Sequence, residues 1–283
     1  MTRKIAILAV LLVAVAAPLA AQNARPALKP GEIPLPYPVV KTTAQPGDFV
    51  IAPAREFFDR AVAEGLDKTG MIYYGAYMEK PGPAESQLKT LTGRIVTLPN
   101  ALIIPIRRGE QAAVGDIVLG TWQSGSGLQR AIVVAGGTPA APKVRYLDLD
   151  YDNPAGVGKK DDTLKADCFH KQRDGLIVGN VVAVKAAGGY KRLLVTGVSG
   201  EKVLGIGFAG RLAVAARADC TPLPIKPVVK AGDKVMIPSM GSFRPAVVAR
   251  VDAAIGRVFA TYDFGGKPKT EAVAFGDVAV GLP

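Results

Sequence analysis

Aromatic residues make up only 6% of this 283-residue chain, with a single tryptophan, Trp122, a single histidine, His170, and two cysteines, Cys168 and Cys220. One histidine excludes a zinc site built on imidazoles, and a histidine-dependent catalytic triad would have to run through His170 alone. Long apolar runs are equally scarce. The one clear case, residues 5–17, is shorter than the about 20 residues a bilayer span requires. Recognisable catalytic loops are missing too. The Gly-x-Ser-x-Gly pattern occurs only in degraded form at Gly125-Ser126-Gly127, and the glycines of residues 205–210 open no helix that could cradle a phosphate. Catalysis is therefore disfavoured, and no cofactor is expected.

What is present is a chain 49% hydrophobic, rich in glycine (32) and proline (22), which is too apolar for disorder. Arg3 and Lys4 precede the apolar run, and Pro18-Leu19-Ala20-Ala21 supplies small residues before Gln22, the pattern of a cleavable signal peptide over residues 1–21. Its removal would take the formal net charge from +11 to +9, since two cations leave with it. A basic protein outside the cytoplasm, periplasmic or extracellular, meets envelope proteins, peptides or anionic glycans rather than nucleic acid. Cys168 and Cys220 fit an oxidising compartment, and a bridge between them would contribute about 3–4 kcal/mol on chain-entropy grounds. They stand, however, in the matching strings Lys165-Ala-Asp-Cys168 and Arg217-Ala-Asp-Cys220, which look like equivalent points of two repeats.

Residues 22–47 carry six prolines and read as a semi-rigid linker or a surface arm. Residues 48–112 read as an α+β segment with one helix over about 53–66, where Phe57, Phe58, Ala61, Val62 and Leu66 recur at helical spacing. Beyond residue 113 the chain becomes short β-branched runs punctuated by turns. Three segments open alike, at Val114-Gly-Asp-Ile-Val118, Val178-Gly-Asn-Val-Val182 and Ala231-Gly-Asp-Lys-Val235. Each is followed by a basic-apolar run (around Arg130, Arg192 and Arg244), by Lys143-Val144, Lys202-Val203 or Arg257-Val258, and by a closing run. Four ordered strings in three copies imply repeats over residues 113–173, 174–225 and 226–283.

A unit of some 50 residues with four or five strands must curl to bury a face. On Gly115-Asp116, Arg130-Ala131, Val144 to Asn153, Gly232-Asp233, Phe243-Arg244 and Val258 to Gly266, the repeat resembles the Tudor and Agenet group of SH3-like barrels. That resemblance implies a mainly β fold of three small barrels in tandem after the α+β segment. It also implies aromatic cages that hold a cation: Trp122, Tyr146 and Tyr151 in the first repeat, Phe243, Tyr262 and Phe264 in the third. Separately, Asp148, Asp150 and Asp152 alternate along one face and could attract a hard cation such as calcium, but Lys159 stands where a bidentate glutamate belongs. Asp150 and Asp152 equally form an acidic rim to the first cage. The expected function is non-enzymatic binding of an envelope component. The alternatives are an assembly part that packs through its barrels and, last, a wall-modifying hydrolase using Asp148, Asp150 or Cys168.

Overall fold

The computed structural model describes residues 28–66, 69–121, 127–149 and 160–282. The expected signal peptide lies outside them. The fold is mainly β, with one α-helix, α1 (Arg55–Glu64), and nineteen antiparallel strands among the described residues.

The strands fall into four groups with one wiring. In the first, β1 (Phe49–Pro53), β2 (Tyr73–Lys80), β3 (Glu85–Thr90), β4 (Ile95–Pro99) and β5 (Ile104–Pro105) lie in the order β5-β1-β2-β3-β4. The second contains β6 (Ile117–Thr121), β7 (Leu128–Val133), β8 (Lys143–Tyr146), β9 (Asp161–Thr163) and β10 (His170–Lys171), ordered β10-β6-β7-β8-β9. The third repeats this with β11 (Val181–Ala186), β12 (Gly189–Ser199), β13 (Lys202–Ile206), β14 (Leu212–Ala216) and β15 (Cys220–Pro222), where β15 pairs with β11. The fourth is β16 (Lys234–Ser239), β17 (Ser242–Asp252), β18 (Arg257–Phe264) and β19 (Lys267–Ala274), and an isolated bridge from Ala279 to Met236 replaces the fifth strand. In each group the fifth element returns to the first strand. No pairing closes a barrel among the described residues, because the fourth and fifth strands of a group are not bonded to each other.

Local chemistry explains the recurrence. Each group opens on a glycine at positive φ followed by Asp or Asn: Gly47 (80°), Gly115 (88°), Gly179 (91°) and Gly232 (90°). The glycine N–H donates to a carbonyl of the second strand, and that residue's N–H donates back to the Asp or Asn carbonyl. The partners are Met78, Val133, Val195 and Val248, at 2.8–2.9 Å throughout. Asp48, Asp116 and Asp233 further hold the turn by accepting from the N–H three residues upstream. Immediately after Met78, Val195 and Val248 the second strand is bulged, which bends it enough to serve both halves of a curled sheet. The first group was not foreseen as a copy. Its Gly47-Asp48-Phe49-Val50 opens the same turn, but α1 is inserted between its first two strands.

Helix α1 starts after Pro53 and ends at Gly65, whose φ of 111° only glycine adopts freely. Phe58 and Ala61 are buried beneath it, and Arg55 donates to Thr97 O on β4 (2.6 Å). The proline-rich arm lies against the body: Ile33, Tyr37 and Ala44 are buried in the largest core. Burial pushes the Tyr37 hydroxyl up to about 12.

The groups are not beads on a string. The largest core joins residues of the first group to Leu119 and Leu128 of the second, Val181, Leu194, Leu204 and Leu212 of the third, and Ala279. A second core joins Ile117, Ile132 and Leu147 to the fourth group. Lys191 on β12 pairs with Ser242 on β17, which fuses the last two groups into one nine-stranded sheet.

The expected disulfide is not formed; Cys168 and Cys220 are both free. Cys168 lies two residues before the fifth strand of the second group and Cys220 opens that of the third, so the two thiols belong to different groups and pack on different cores. The Cys220 thiol instead donates to Ala216 O at 3.3 Å.

Candidate functional site

The first predicted cage is not assembled by the residues that can be described. Trp122, Asp150, Tyr151 and Asp152 lie outside the described residues. Tyr146 is 1% exposed, a core ring of the second group whose hydroxyl donates to Thr121 O at 3.3 Å. Asp148 accepts from the Arg130 backbone N–H (2.7 Å) and from its guanidinium Nε (3.1 Å), so its oxygens are already engaged. Among the described residues no three His, Cys, Asp or Glu side chains could together hold a metal ion. His170 Nδ1 lies 3.2 Å from Glu110 Oε1, and burial raises the Cys168 thiol, the opposite of what a nucleophile needs.

The second predicted set is divided by strand parity. Along β17, Ala246 and Val248 point into the fourth group, so Phe243 points out and packs on the largest core. Tyr262 and Phe264, two apart on β18, share a face and meet edge to face with centroids 6.5 Å apart. Tyr262 is 8% exposed and Phe264 63%. The face of Tyr262 is covered by the chain's own Arg244, whose guanidinium carbon lies 4.5 Å from the centroid. Lys269 Nζ lies 6.0 Å from Tyr262 and 5.8 Å from Phe264. Register explains this, because Tyr262 pairs with Lys269 and Phe264 with Lys267 across β18 and β19. The Gly265-Gly266 turn, both residues at positive φ, holds the two strands together. With its ring faces already capped by cations, this end of the fourth group presents positive charge beside an exposed ring. It suits an anion better than a second cation.

A buried ion network was not legible in the sequence. Arg130, with a side chain 3% exposed, pairs with Asp148 and with Asp277 (2.6 Å), and Asp277 also pairs with Arg192 (2.6 Å). Arg130 and Arg192 occupy matching positions, three residues before the strand-two residue bonded to the opening glycine. Burial alone would raise the Asp277 carboxyl, but Arg130 and Arg192 outweigh it and hold it well below the usual carboxylate range. Gly276, at φ 82°, makes room: a Cβ there would stand 2.7 Å from Arg130 Nη1. Beside the network lies a cavity of about 500 Å³ lined by Leu147, Leu194, Arg192, Arg257, Glu271 and Asp277, among others. Arginines matched by carboxylates favour holding groups together over attracting a ligand.

No protein-family model matches the chain, and no match was found among curated proteins. The functional reading therefore rests on geometry.

Proposed function

We propose that this is an exported, non-enzymatic binding protein whose strand groups are SH3-like barrels, left partly open, that recognise an anionic envelope partner, peptide or glycan. The strand order and the bulged second strand support the barrel reading, and the first group extends it to a fourth copy. The observation that carries the binding reading is the exposed end of β18 and β19. There Tyr262 and Phe264 stand among Arg244, Lys267 and Lys269, cations that pair with no carboxylate among the described residues. An aromatic face gives a sugar ring or a planar side chain something to stack on, and the ammonium groups meet its carboxylates.

Titration calorimetry with a uronic-acid oligosaccharide and with a poly-glutamate peptide tests this. Binding of either, weakened about tenfold by Phe264→Ala and by Lys269→Glu and reduced by added salt, is the expected result. If neither probe binds, or if both variants bind as the parent does, the reading fails.

A further inference from the structure

A second surface, formed by the turn between β13 and β14 and the β16–β17 hairpin tip, has a different chemistry. Phe208, in the short 3₁₀ turn between β13 and β14, is 56% exposed, and Met240, at the tip of the β16–β17 hairpin, is 85% exposed. The two turns abut: a Cβ on Gly241 would stand 2.5 Å from Phe208 Cβ. Large apolar side chains exposed side by side cost free energy in water, so their pairing points to something they cover.

The backbone holds both in place. Of the three non-glycine residues at positive φ among those described, two flank this spot, Ala209 (56°) and Met240 itself (48°). Such conformations persist only where surroundings fix them, and they collect at functional surfaces. Here Arg192 N–H donates to Gly241 O (2.9 Å), Gly207 N–H to Arg211 O (2.8 Å), and Met71 N–H to Gly210 O (2.8 Å). These bonds tie the hairpin tip to β12 and the 3₁₀ turn to the first group. The apolar pair is therefore presented on a rigid platform.

Behind the pair opens a cleft of about 580 Å³, floored by Leu193, Ala213 and Ala215 and bordered by Lys185, Lys191 and Arg211. None of these three cations pairs with a described carboxylate. Asp219 is the one acidic residue among those that line the cleft.

We propose that Phe208 and Met240, ringed by Lys185, Lys191 and Arg211, seat this protein on an anionic phospholipid surface. A glycan offers no apolar phase for a flexible thioether, and a free phosphate leaves both exposed side chains uncovered. A bilayer supplies both at once: acyl chains for Phe208 and Met240, phosphates for the three cations. The attachment is peripheral. No helix among the described residues is long and apolar enough to cross a membrane.

The test places a reporter at the spot. In the full chain carrying Trp122→Phe and Phe208→Trp, the only tryptophan stands at the platform. Mixed phosphatidylcholine–phosphatidylglycerol vesicles should shift its emission to the blue, and pure phosphatidylcholine vesicles should not. Salt should weaken the effect. Because residues 5–17 could also touch lipid, the same chain with Met240→Ser, and another with Lys185→Glu and Lys191→Glu, serve as controls. Each should need about tenfold more lipid for the same shift. No shift, an equal shift with neutral vesicles, or control chains that titrate unchanged would overturn the proposal. So would a shift produced by poly-glutamate alone, which would make the cleft a peptide site.

Discussion

At the scale of single residues, Asp277 has the largest consequences. Among the described residues it is the one carboxylate that both Arg130 and Arg192 reach, and all three are wholly or largely removed from water. Removing one partner of a buried ion pair leaves charge uncompensated, at a cost of about 3–5 kcal/mol. Asp277→Ala should therefore lower the urea midpoint by an amount equivalent to about 3 kcal/mol, with about a tenth of that from Arg107→Ala, an exposed arginine outside the network. The pH dependence follows with its sign. The folded carboxyl sits at about 2 against an ordinary value of 3.8, so its contribution is complete above about pH 4 and fades as the pH falls towards 2. Midpoints measured across that window should drop in the parent more steeply than in Asp277→Ala. The cysteines offer a cheaper check. With no bridge, the intact mass is the same with and without reductant, and unfolded protein takes up two equivalents of an alkylating reagent; a mass gain of two hydrogen atoms on reduction would contradict the structure.

At the scale of elements, the opening turn explains both what the sequence disclosed and what it hid. Three Gly-Asp or Gly-Asn turns stand close before their second strands, and the repetition is visible because each carries a valine three residues after its glycine (Val118, Val182, Val235) and then a basic-apolar run. The fourth, at Gly47, was hidden by ten residues of helix between β1 and β2. Strand β3 escaped notice as well: ESQLKT buries only Ser86 and Leu88, so the apolar rhythm is too thin to read. Tyr262 and Phe264 could be placed together because period-two alternation puts them on one face, whereas Phe243 fails on the same parity. Arg130 and Asp277 lie 147 residues apart, and nothing local in the sequence links them. The turn also makes a graded prediction. A Cβ at Gly232 meets nothing within 4 Å, so Gly232→Ala costs only the left-handed backbone, about 1–2 kcal/mol. At Gly179 the same atom would stand 2.8 Å from both Gln172 and Leu119. Gly179→Ala should thus destabilise clearly more than Gly232→Ala, as read from denaturant midpoints; equal costs would mean that Gln172 and Leu119 do not crowd Gly179.

At the scale of the whole molecule, the question is whether four similar groups fold independently, as tandem modules do, or as one body. Three observations favour one body. The largest core draws on all four groups, the second core is shared by the second and fourth, and one sheet runs from β14 through β12 and β17 to β19. The small cores private to the second and third groups contain few large side chains: Val118, Val144, Tyr146, Leu164 and Phe169 in one, Val182, Leu193, Val195 and Val203 in the other. Cores of that size rarely hold a unit of about 50 residues on their own. Cutting the chain after residue 225 would expose Ile117, Ile132 and Leu147 and would leave Arg130 and Arg192 without Asp277. The intact chain should accordingly melt in a single calorimetric transition whose van't Hoff and calorimetric enthalpies agree. The truncated chain should lose that transition outright. Separate transitions in the full chain, or a truncated chain that still melts sharply near the parent temperature, would show that the groups are autonomous modules joined by incidental contacts.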